Sequence, residues 1–448
     1  MNGSWLKYDR RVPRYTSYPT APHFDAGVDA AVYRRWLSML PADMSASLYF
    51  HIPFCNSLCW FCGCHTKAVR RYRPVADYVE LLKEEISRVA AAIGRRQTVR
   101  HLHWGGGTPT LVAPGDILAL MEHVRAEFDV SDRAEFAVEI DPRGLGRDSV
   151  HALAAAGVTR ASLGVQDIDP DVQAAINRVQ PLEATERTID ELRDAGIRSI
   201  NVDLMYGLPH QTVKRVCATA DAMARLGPER LAVFGYAHVP WMKRHQSLID
   251  EATLPDADER LRQSTAVAER LTGHGYVRIG LDHFSRPDDP LAVAQREGRL
   301  HRNFQGYTAD DCSALIGFGA SAIGSLPQGY VQNAATGDLW RDAISRGDLA
   351  VSRGVALSQD DHLRRAVIER LMCDFQVDLG AVAQAHGRDA TEFAAELQSL
   401  ARFRDDGLIE IDRDRIELRV PARPFVRTVC AVFDRYLKAE ETQHARAV

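Results

Sequence analysis

Four cysteines, Cys55, Cys59, Cys62 and Cys64, fall within a stretch of ten residues, and the whole chain has only eight. Thiolates bind soft metals, so this stretch could hold a structural zinc ion or an iron–sulfur cluster, or it could be a set of buried free thiols. Structural zinc sites usually use two cysteine pairs separated by a dozen or more residues, whereas closely spaced loop cysteines are typical of iron–sulfur clusters. The first three have the spacing C-x3-C-x2-C, which would leave one iron of a four-iron cubane open to a substrate or cosubstrate.

Composition limits the classes of protein to which the chain can belong. It has 448 residues, 46% of them apolar, and a formal net charge of −5. This length supports a large core and at least one appended domain. We expect no nucleic-acid partner, because the charge balance is slightly acidic, and no membrane partner, because no stretch is long and apolar enough to span a bilayer. Without an apolar N-terminal targeting segment, a cytoplasmic location with reduced cysteines is expected.

The cysteines must be positioned by the strands and helices around them. Between residues 47 and 239, short apolar strands alternate with amphipathic helices, which indicates parallel strands joined by right-handed crossovers. Polar and glycine-rich residues follow the strands, where both a (βα) barrel and an open doubly wound sheet place their sites. A dinucleotide-binding sheet would carry G-x-G-x-x-G where the cysteines lie, so a closed or partial barrel is favoured. The predicted strands are SLYFHI, VRHLHW, EFAVEID, RASLGVQ, RSINVDLMYG and RLAVFGYAHV.

The alternation suggests four segments. Residues 1–45 form an N-terminal arm that contributes to the active site, and residues 46–245 form the barrel. Residues 246–355 extend the barrel and carry substrate-proximal loops, among them a long irregular stretch at 286–311. Residues 356–448 form a mainly helical domain whose GLIEIDRDRIELRV predicts a two-stranded hairpin, as in a winged helix. Because acidic and basic residues alternate in this hairpin, we expect it to pack rather than to bind DNA.

The cysteine motif, with Phe61 before its last cysteine, resembles the signature of the radical S-adenosylmethionine (SAM) superfamily. Within that superfamily the chain resembles the oxygen-independent coproporphyrinogen III oxidases from RYTSYPT (Arg14–Thr20) to FDRYL near the C-terminus. This resemblance implies an α/β fold: a partial (βα)6 TIM-like barrel of radical SAM type, with an N-terminal arm and a mainly helical, winged-helix-like C-terminal domain. The other motifs that carry it are YFHIPFCNSLCWFCGC, HWGGGTPT, EIDP, GVQD, INVDLMYGLP, YAHVP and AVAQREGRLHRNFQGYT.

The resemblance implies a [4Fe–4S] cluster with Cys55, Cys59 and Cys62 as its ligands. The open iron would chelate SAM, whose reductive cleavage yields a 5′-deoxyadenosyl radical, and a second SAM molecule would bind nearby. The cofactor contacts carried over from the family are Tyr49, Gly106, Glu139 and Ile323 for the first molecule, and Phe61, Gly107, Thr108, Gln166, Arg178, Asp203 and Ala237 for the second.

Some of these positions have a plain structural alternative. Ala237 and Ile323 could be core residues, and Gly105–Gly107 could be a strand-to-helix turn. Glu139 and Asp203 stand in otherwise apolar strands, where burial of a carboxylate without partners would be costly, and this favours a binding role for both.

Cys64 lies too close to Cys62 to reach another corner of a cubane, so we expect it to be a catalytic residue without being a ligand. The alternative is a buried thiol that supports the loop. Relatives proposed to be haem chaperones share the three-cysteine motif but lack this cysteine and the RYTSYPT segment. Both features are present here and favour the oxidase.

The implied reaction is the oxidative decarboxylation of two propionates of coproporphyrinogen III to vinyls, giving protoporphyrinogen IX in anaerobic haem biosynthesis. The implied electron donor is a flavodoxin or ferredoxin, and a monomer is expected. A haem chaperone and a radical SAM protein acting on another tetrapyrrole remain as alternatives. The candidate partners for the substrate carboxylates, chosen by residue type, are Arg14, Arg286, Arg296 and Arg302.

Overall fold

The first part of the N-terminal arm packs on the C-terminal part of the chain, and its second part packs on the main hydrophobic core. The structure is a computed structural model that describes residues 3–437. The Trp5 indole donates to the Asp406 carbonyl at 3.0 Å, and the Tyr15 hydroxyl donates to Asp434 at 3.0 Å. The arm contains the 3-10 helices Gly3–Tyr8 and Ala21–His23 and the helix α1 (Ala30–Ser38), which begins after Asp29 because that side chain accepts from the Val32 N–H.

The central unit alternates strands and helices as predicted. Six of its strands are parallel and neighbour one another in chain order, from β1 through β4, β5, β6 and β7 to β8 as bounded below. The elements are β1 (Ala46–Ile52), β2 (Phe54–Cys55), β3 (Lys67–Ala68), α2 (Arg73–Ile93), β4 (Thr98–Gly106), the 3-10 helix Pro109–Leu111, α3 (Pro114–Glu127), β5 (Asp129–Ile140), α4 (Arg147–Ala156), β6 (Arg160–Gln166), α5 (Pro170–Ala175), α6 (Leu182–Asp194), β7 (Ser199–Tyr206), α7 (Val213–Leu226) and β8 (Arg230–Gly235).

Residues 244–356 widen this sheet on both sides. The sheet has twelve strands, and its first and last members, β16 and β9, are not paired with each other, so the barrel is partial, as expected. The elements are the 3-10 helices Arg244–Leu248 and Glu251–Thr253, α8 (Ala257–Gly273), β9 (Val277–Ile279), β10 (His283–Ser285), α9 (Pro290–Arg296), β11 (His301–Asn303), β12 (Gly306–Thr308), β13 (Ala314–Phe318), β14 (Ile323–Leu326), β15 (Gly329–Asn333), α10 (Gly337–Ser345) and β16 (Val351–Ala356).

Two features of this extension differ from the sequence-based expectation. β13 pairs with β1 in parallel, so the partial barrel has a seventh parallel strand that lies far from the others in the chain. The stretch 286–311, expected to be irregular, contains α9 and the β11–β12 hairpin. These elements are only three to seven residues long, which is too short for the hydrophobic period to reveal them.

The C-terminal part has its own hydrophobic core, to which the arm contributes Trp5, Tyr8, Tyr15 and Tyr18. The predicted hairpin is present as β18 and β19, and β17 adds a third strand in the order β17-β19-β18. The elements are α11 (Gln359–Asp374), β17 (Gln376–Asp378), α12 (Leu379–Ala385), the 3-10 helix Ala390–Phe393, α13 (Ala394–Asp405), β18 (Ile409–Asp412), β19 (Arg415–Leu418), the 3-10 helix Val420–Phe425, α14 (Val426–Cys430) and the 3-10 helix Ala431–Phe433.

The first parallel strand shows how the barrel divides apolar from polar side chains. In β1, Leu48, Phe50 and Ile52 are buried in the main hydrophobic core, where Phe50 stacks on Phe318 with ring centroids 5.0 Å apart. The alternate residues, such as Ser47, point to the other face, which is a polar barrel interior. Across residues 3–437, no helix has the length and apolar character needed to cross a membrane.

Candidate active site

A cavity of about 1130 Å³ opens at the carboxyl ends of the parallel strands. Every segment of the chain contributes to its lining, from the arm to the C-terminal part. A typical small-molecule pocket measures roughly 300–1,000 Å³, so this one has room for more than one ligand of ordinary size. Among the lining residues are Arg14, Gly106, Glu139, Gln166, Asp203, Tyr236, Arg302 and Arg427.

Cys55 ends β2, and Cys59, Cys62 and Cys64 lie on the loop that follows it and leads to β3. All four cysteines line the cavity, and we call residues 55–66 the cysteine loop. The segment after β8 holds the loop by its backbone. Lys243 Nζ donates to the Cys64 carbonyl at 3.0 Å, and His245 Nε2 to the Cys62 carbonyl at 2.7 Å. Gln246 Nε2 donates to the Phe61 carbonyl at 3.0 Å. The thiols therefore remain free to bind a ligand while the loop backbone is fixed.

The surroundings of the thiols fit an anionic metal cluster. All eight cysteines are free thiols. The Cys59 sulfur lies 3.6 Å from both Arg143 Nη2 and Arg178 Nη1, and the Cys55 sulfur lies 3.1 Å from Thr66 Oγ1. Burial raises the pKa of Cys55, and the Thr66 and Thr108 hydroxyls oppose that rise. Guanidinium and hydroxyl donors stabilise thiolates, so this donor set suits a thiolate-ligated iron–sulfur cluster.

Cys62 and Cys64 interact directly. The Cys64 N–H donates to the Cys62 sulfur at 3.4 Å. The thiol of Cys64 also bonds to Cys62, which lowers the pKa of Cys62 to about 7 and raises that of Cys64. Cys62 is therefore the more acidic thiol of the pair. Cys64 is exposed to the cavity that it lines.

The glycines after β4 leave space that side chains would fill. A Cβ on Gly106 would lie 2.6 Å from the His51 ring, and one on Gly107 would lie 2.5 Å from the Phe54 carbonyl oxygen. Gly106 also has φ +110°, a conformation that favours glycine. The glycines therefore form a strand-to-helix turn whose backbone also lies too close to neighbouring groups to leave room for side chains.

Glu139 at the end of β5 is a buried carboxylate with partners. Burial raises its pKa, but the His103 side chain at 3.3 Å and the Gly106 N–H at 3.0 Å outweigh burial and hold the pKa below the usual value. The group stays ionised and can accept from a polar ligand in the cavity.

At Asp203 on β7, burial outweighs the hydrogen bonds, so the pKa is raised and not lowered as at Glu139. Burial raises its pKa, and the bonds from Ser162 Oγ and Asn201 Nδ2, both at 2.8 Å, only reduce the rise. The nearby charge of Glu139 raises it further. The surroundings therefore lower the pKa of Glu139 and raise that of Asp203.

Arg178 and Gln166 also lie at the cavity wall. Arg178 lies 3.3 Å from Asp141 and donates to the Gly164 carbonyl, so its guanidinium already has an anionic partner in the protein. Gln166 ends β6 with φ +70°, an uncommon conformation for a residue with a side chain. That conformation is imposed where the strand turns into the cavity rim.

The structure brings most of the predicted site residues to this one cavity. Tyr49 and Ile323 do not line it. The Tyr49 hydroxyl lies 2.9 Å from His51 Nδ1, and Ile323 begins β14 half-buried. The residues that do line it are Cys55, Cys59, Phe61, Cys62, Cys64, Gly106, Gly107, Thr108, Glu139, Gln166, Arg178, Asp203 and Ala237.

Of the four arginines proposed for the substrate, the cavity contains Arg14 and Arg302. The assignments of Arg286 and Arg296 to the substrate are wrong, because neither residue lines the cavity. The Arg286 guanidinium lies 4.3 Å from the centre of the Tyr276 ring, and Arg296 Nη1 donates to the Pro287 carbonyl at 2.7 Å. Both lie outside the cavity lining.

Comparison with known proteins identifies the family. Over 440 residues the chain is 51% identical to the oxygen-independent coproporphyrinogen III oxidase of Bradyrhizobium diazoefficiens, with 98% of each chain covered. The chain belongs to the oxygen-independent coproporphyrinogen III oxidase family. The family's member from Paracoccus denitrificans is 43% identical over 430 residues, covering 96% of this chain and 95% of that one.

Family models and a solved structure agree with this assignment to the coproporphyrinogen III oxidases. The Radical SAM superfamily model matches residues 49–223, and the HemN C-terminal domain model matches residues 357–425. The solved structure of coproporphyrinogen III oxidase (HemN) from Escherichia coli superposes with a TM-score of 0.90 at 38% identity, covering 96% of this chain and 100% of that one. The expected radical SAM fold and the cofactor types, a [4Fe–4S] cluster and SAM, are confirmed.

Sequence reasoning missed several groups that position the cysteine loop of this coproporphyrinogen III oxidase family member. Arg143 makes a bidentate ion pair with Asp141 and reaches Cys59. Asp141 lies in the EIDP motif directly after β5, a position that could have revealed it. Lys243 and His245 gave no such signal, because their contacts are to backbone carbonyls far away in the sequence.

Proposed function

We propose that this protein catalyses the oxygen-independent oxidative decarboxylation of two propionate side chains of coproporphyrinogen III to vinyl groups, giving protoporphyrinogen IX in haem biosynthesis. One observation carries this proposal: a three-thiol loop and a group of arginines line the same 1130 Å³ cavity. The thiols suit a redox cluster, and the arginines suit a polycarboxylate. For each propionate, a hydrogen atom leaves the β-carbon, carbon dioxide is lost, and one electron passes to an acceptor, so that a vinyl group remains.

The residues that would hold the cofactors are those on the cysteine loop and at the strand ends. We assign Cys55, Cys59 and Cys62 as ligands of the [4Fe–4S] cluster. When bound, the cluster and SAM supply a 5′-deoxyadenosyl radical that can remove a hydrogen atom. Arg143 and Arg178 stabilise the thiolates next to Cys59. Their charge also offsets part of the negative charge that a thiolate-ligated cluster brings into a half-buried site.

Polar groups at the strand ends bind and orient SAM in this proposal. Glu139, held ionised by His103 and the Gly106 N–H, accepts hydrogen bonds from cationic or hydroxyl groups of SAM. Gly106 and Gly107 let the backbone approach the ligand. Asp203 and Gln166 bond to a second SAM molecule, for which the cavity volume leaves room.

Tyr49 and Ile323 lie outside the cavity lining and act in this proposal by supporting it. The Tyr49 hydroxyl bonds to the His51 ring, which fills the space beside Gly106. The exposed Cys64 thiol handles a proton or an electron during turnover. A flavodoxin or ferredoxin as electron donor, a monomeric state and a cytoplasmic location complete the proposal, and a reducing compartment is consistent with eight free thiols.

An anaerobic assay with mass-resolved tetrapyrrole products tests the function. The cluster-loaded protein is supplied with coproporphyrinogen III, SAM and a reductant. The expected products are the singly and doubly decarboxylated porphyrinogens together with 5′-deoxyadenosine, and omission of SAM should abolish both. Haem binding without any decarboxylation, or 5′-deoxyadenosine without a change in tetrapyrrole mass, would overturn the proposal.

A further inference from the structure

One wall of the cavity is cationic and is built entirely from residues outside the segment 46–245. Arg14 comes from the N-terminal arm, Arg278 and Arg302 come from the extension at β9 and β11, and Arg427 comes from α14. We call these four residues the arginine lobe. None of them is near another in the chain, so the lobe exists only when the arm, the extension and the C-terminal part meet.

The four arginines of the lobe share one carboxylate. Asp282 is the carboxylate that interacts with all four guanidiniums. It is also bonded to His283 Nδ1 at 2.8 Å, and it lies 3.9 Å from Arg302 Nη1, beyond hydrogen-bonding distance. At that distance Asp282 leaves most of the five N–H donors of the Arg302 guanidinium without a carboxylate partner.

Several donors of the lobe have no partner. Arg302 Nε and Nη1 and Arg278 Nε are buried and make no hydrogen bond within residues 3–437. Arg278 uses Nη2 on the Leu281 carbonyl at 2.9 Å, and the Arg302 guanidinium lies 4.5 Å from the centre of the Tyr307 ring. Burying charged donors without partners is costly unless an anion completes the site.

The electrostatic surroundings of Arg427 and Arg278 agree with this geometry, whereas Tyr307 and Asp282 outweigh burial and raise the pKa of Arg302. Burial, together with the neighbouring charge of Arg14, lowers the pKa of Arg427 to about 10. Burial likewise lowers the pKa of Arg278, with Arg423 as a further like charge. Like charges held together in a buried wall repel one another, and a bound anion would relieve the repulsion.

We infer that the arginine lobe is the carboxylate-binding subsite of the cavity, where planar guanidiniums bind propionate groups of the tetrapyrrole substrate in bidentate pairs. The inference rests on the proposed function, because it takes the substrate to be a porphyrinogen with four carboxylates. Arg278 and Arg302 supply the buried donors that are free for such pairs within residues 3–437. The lobe therefore fixes one edge of the macrocycle, and the cysteine loop lies in the same cavity.

Binding of an unreactive analogue tests the lobe independently of turnover. Coproporphyrin III carries the same four carboxylates on an oxidised ring, and its tetramethyl ester carries none. The cluster-loaded protein is titrated anaerobically with each, and Kd is measured by porphyrin fluorescence. We expect Arg302→Gln and Arg278→Gln each to weaken coproporphyrin III binding by about tenfold or more, as for the loss of a buried charged hydrogen bond. Binding of the ester should be weak and the same in wild type and variants.

Matched variants keep this test interpretable. Arg286→Gln removes an arginine that stacks on Tyr276 outside the cavity and should leave Kd unchanged. Arg302→Lys keeps a charge but loses the fork, and it should bind better than Arg302→Gln. Iron content and melting temperature identify any variant that fails to fold. If Arg302→Gln fails, the Kd of Arg278→Gln for coproporphyrin III decides whether the lobe binds carboxylates.

The outcomes separate the lobe from the reaction. Equal Kd values for wild type and folded lobe variants, or equal binding of acid and ester, would overturn the lobe even if the wild type decarboxylates coproporphyrinogen III. Conversely, tight and arginine-dependent binding of coproporphyrin III without decarboxylation by the wild type would keep the lobe and reject the proposed reaction.

Discussion

The Gly106 N–H donates to the Glu139 carboxylate at 3.0 Å, which joins the end of β4 to the end of β5. The bond lies at the cavity rim, where both residues are part of the lining. It helps to keep Glu139 ionised, and it requires the backbone of Gly106 to adopt φ +110°. One glycine thus sets both a conformation and a charge in the site.

Gly106→Ala should therefore impair SAM binding. The added Cβ would lie 2.6 Å from the His51 ring, and the positive φ is strained for alanine. We expect a loss of SAM affinity of at least tenfold, equivalent to about 1.4 kcal/mol, measured by equilibrium dialysis on cluster-loaded protein. Gly115→Ala is the control, because nothing lies within 4 Å of its Cβ and the position is helical. Unchanged affinity in the first variant would contradict the proposed role of this backbone.

Cys62→Ser and Cys64→Ser should separate the two functions proposed for the loop thiols. Cys62→Ser removes a proposed cluster ligand and should abolish most of the visible iron–sulfur absorbance after anaerobic reconstitution. Cys64→Ser should retain the cluster but lose most of the decarboxylation, because Cys64 is assigned to turnover and not to ligation. Iron analysis and product mass spectrometry measure the two effects. Cys312→Ser, outside the cavity lining, should behave like wild type. Cluster loss in the Cys64 variant would make that residue a ligand.

Gln246→Leu should loosen the cysteine loop. The buried Gln246 accepts from the Val239 N–H at 2.6 Å and donates to the Phe61 carbonyl at 3.0 Å, so its loss leaves two backbone groups unpaired. Each unpaired group costs about 1–3 kcal/mol, and we expect iron to be released several times faster to a chelator. Gln263→Leu is the matched control, because Gln263 makes the same kind of bridge between Gly207 and Gln211 away from the loop. Equal iron release from both variants would count against a specific role for Gln246.

Glu85 should give the protein a pH-dependent stability. Burial raises the pKa of Glu85 to about 7 despite bonds from Gly319, Asn333 and Trp340. Between pH 4.5 and 7 the folded protein keeps a proton that the unfolded chain has lost. The contribution of this group to the free energy of unfolding therefore falls as the pH rises through that window, by on the order of 3 kcal/mol.

Melting temperatures at pH 5 and pH 7 test this prediction for Glu85. Glu85→Gln should show a smaller drop between the two values than the wild type, because an amide does not titrate. Glu84→Gln changes the exposed neighbour on the same helix and should follow the wild type. An identical drop in the Glu85 variant and the wild type would contradict the raised pKa.

The sequence predicted the parts of the fold that depend on local pattern. The six parallel strands between residues 46 and 235 and the longer helices between them follow hydrophobic periods long enough to recognise, and the β18–β19 hairpin follows from alternation. The pairing of β13 with β1 could not be predicted, because nearly the whole barrel separates them in the chain.

In the site too, residues in local motifs could be predicted, whereas residues placed by contacts between distant segments could not. The cysteines and Gly106 stand in local motifs, and their positions in the cavity agree with expectation. Residue type alone could not choose among the arginines. Arg286 and Arg296 have the same chemistry as Arg14 and Arg302, but packing against Tyr276 and Pro287 places them elsewhere. Arg427 and Arg278 were missed for the same reason, because their role depends on which distant segments meet.

The arginine lobe also has a consequence for biosynthesis on the ribosome. The cysteine loop is among the first parts of the chain to emerge, whereas Arg427 lies close to its end and contacts the arm through the Val12 carbonyl at 3.5 Å. A nascent chain can therefore expose its thiols long before the arginine lobe is complete. Chains truncated before α14 should still acquire iron but leave the macrocycle without its full set of anchors. Completion of synthesis would then act as a checkpoint that keeps the substrate away from unfinished enzyme.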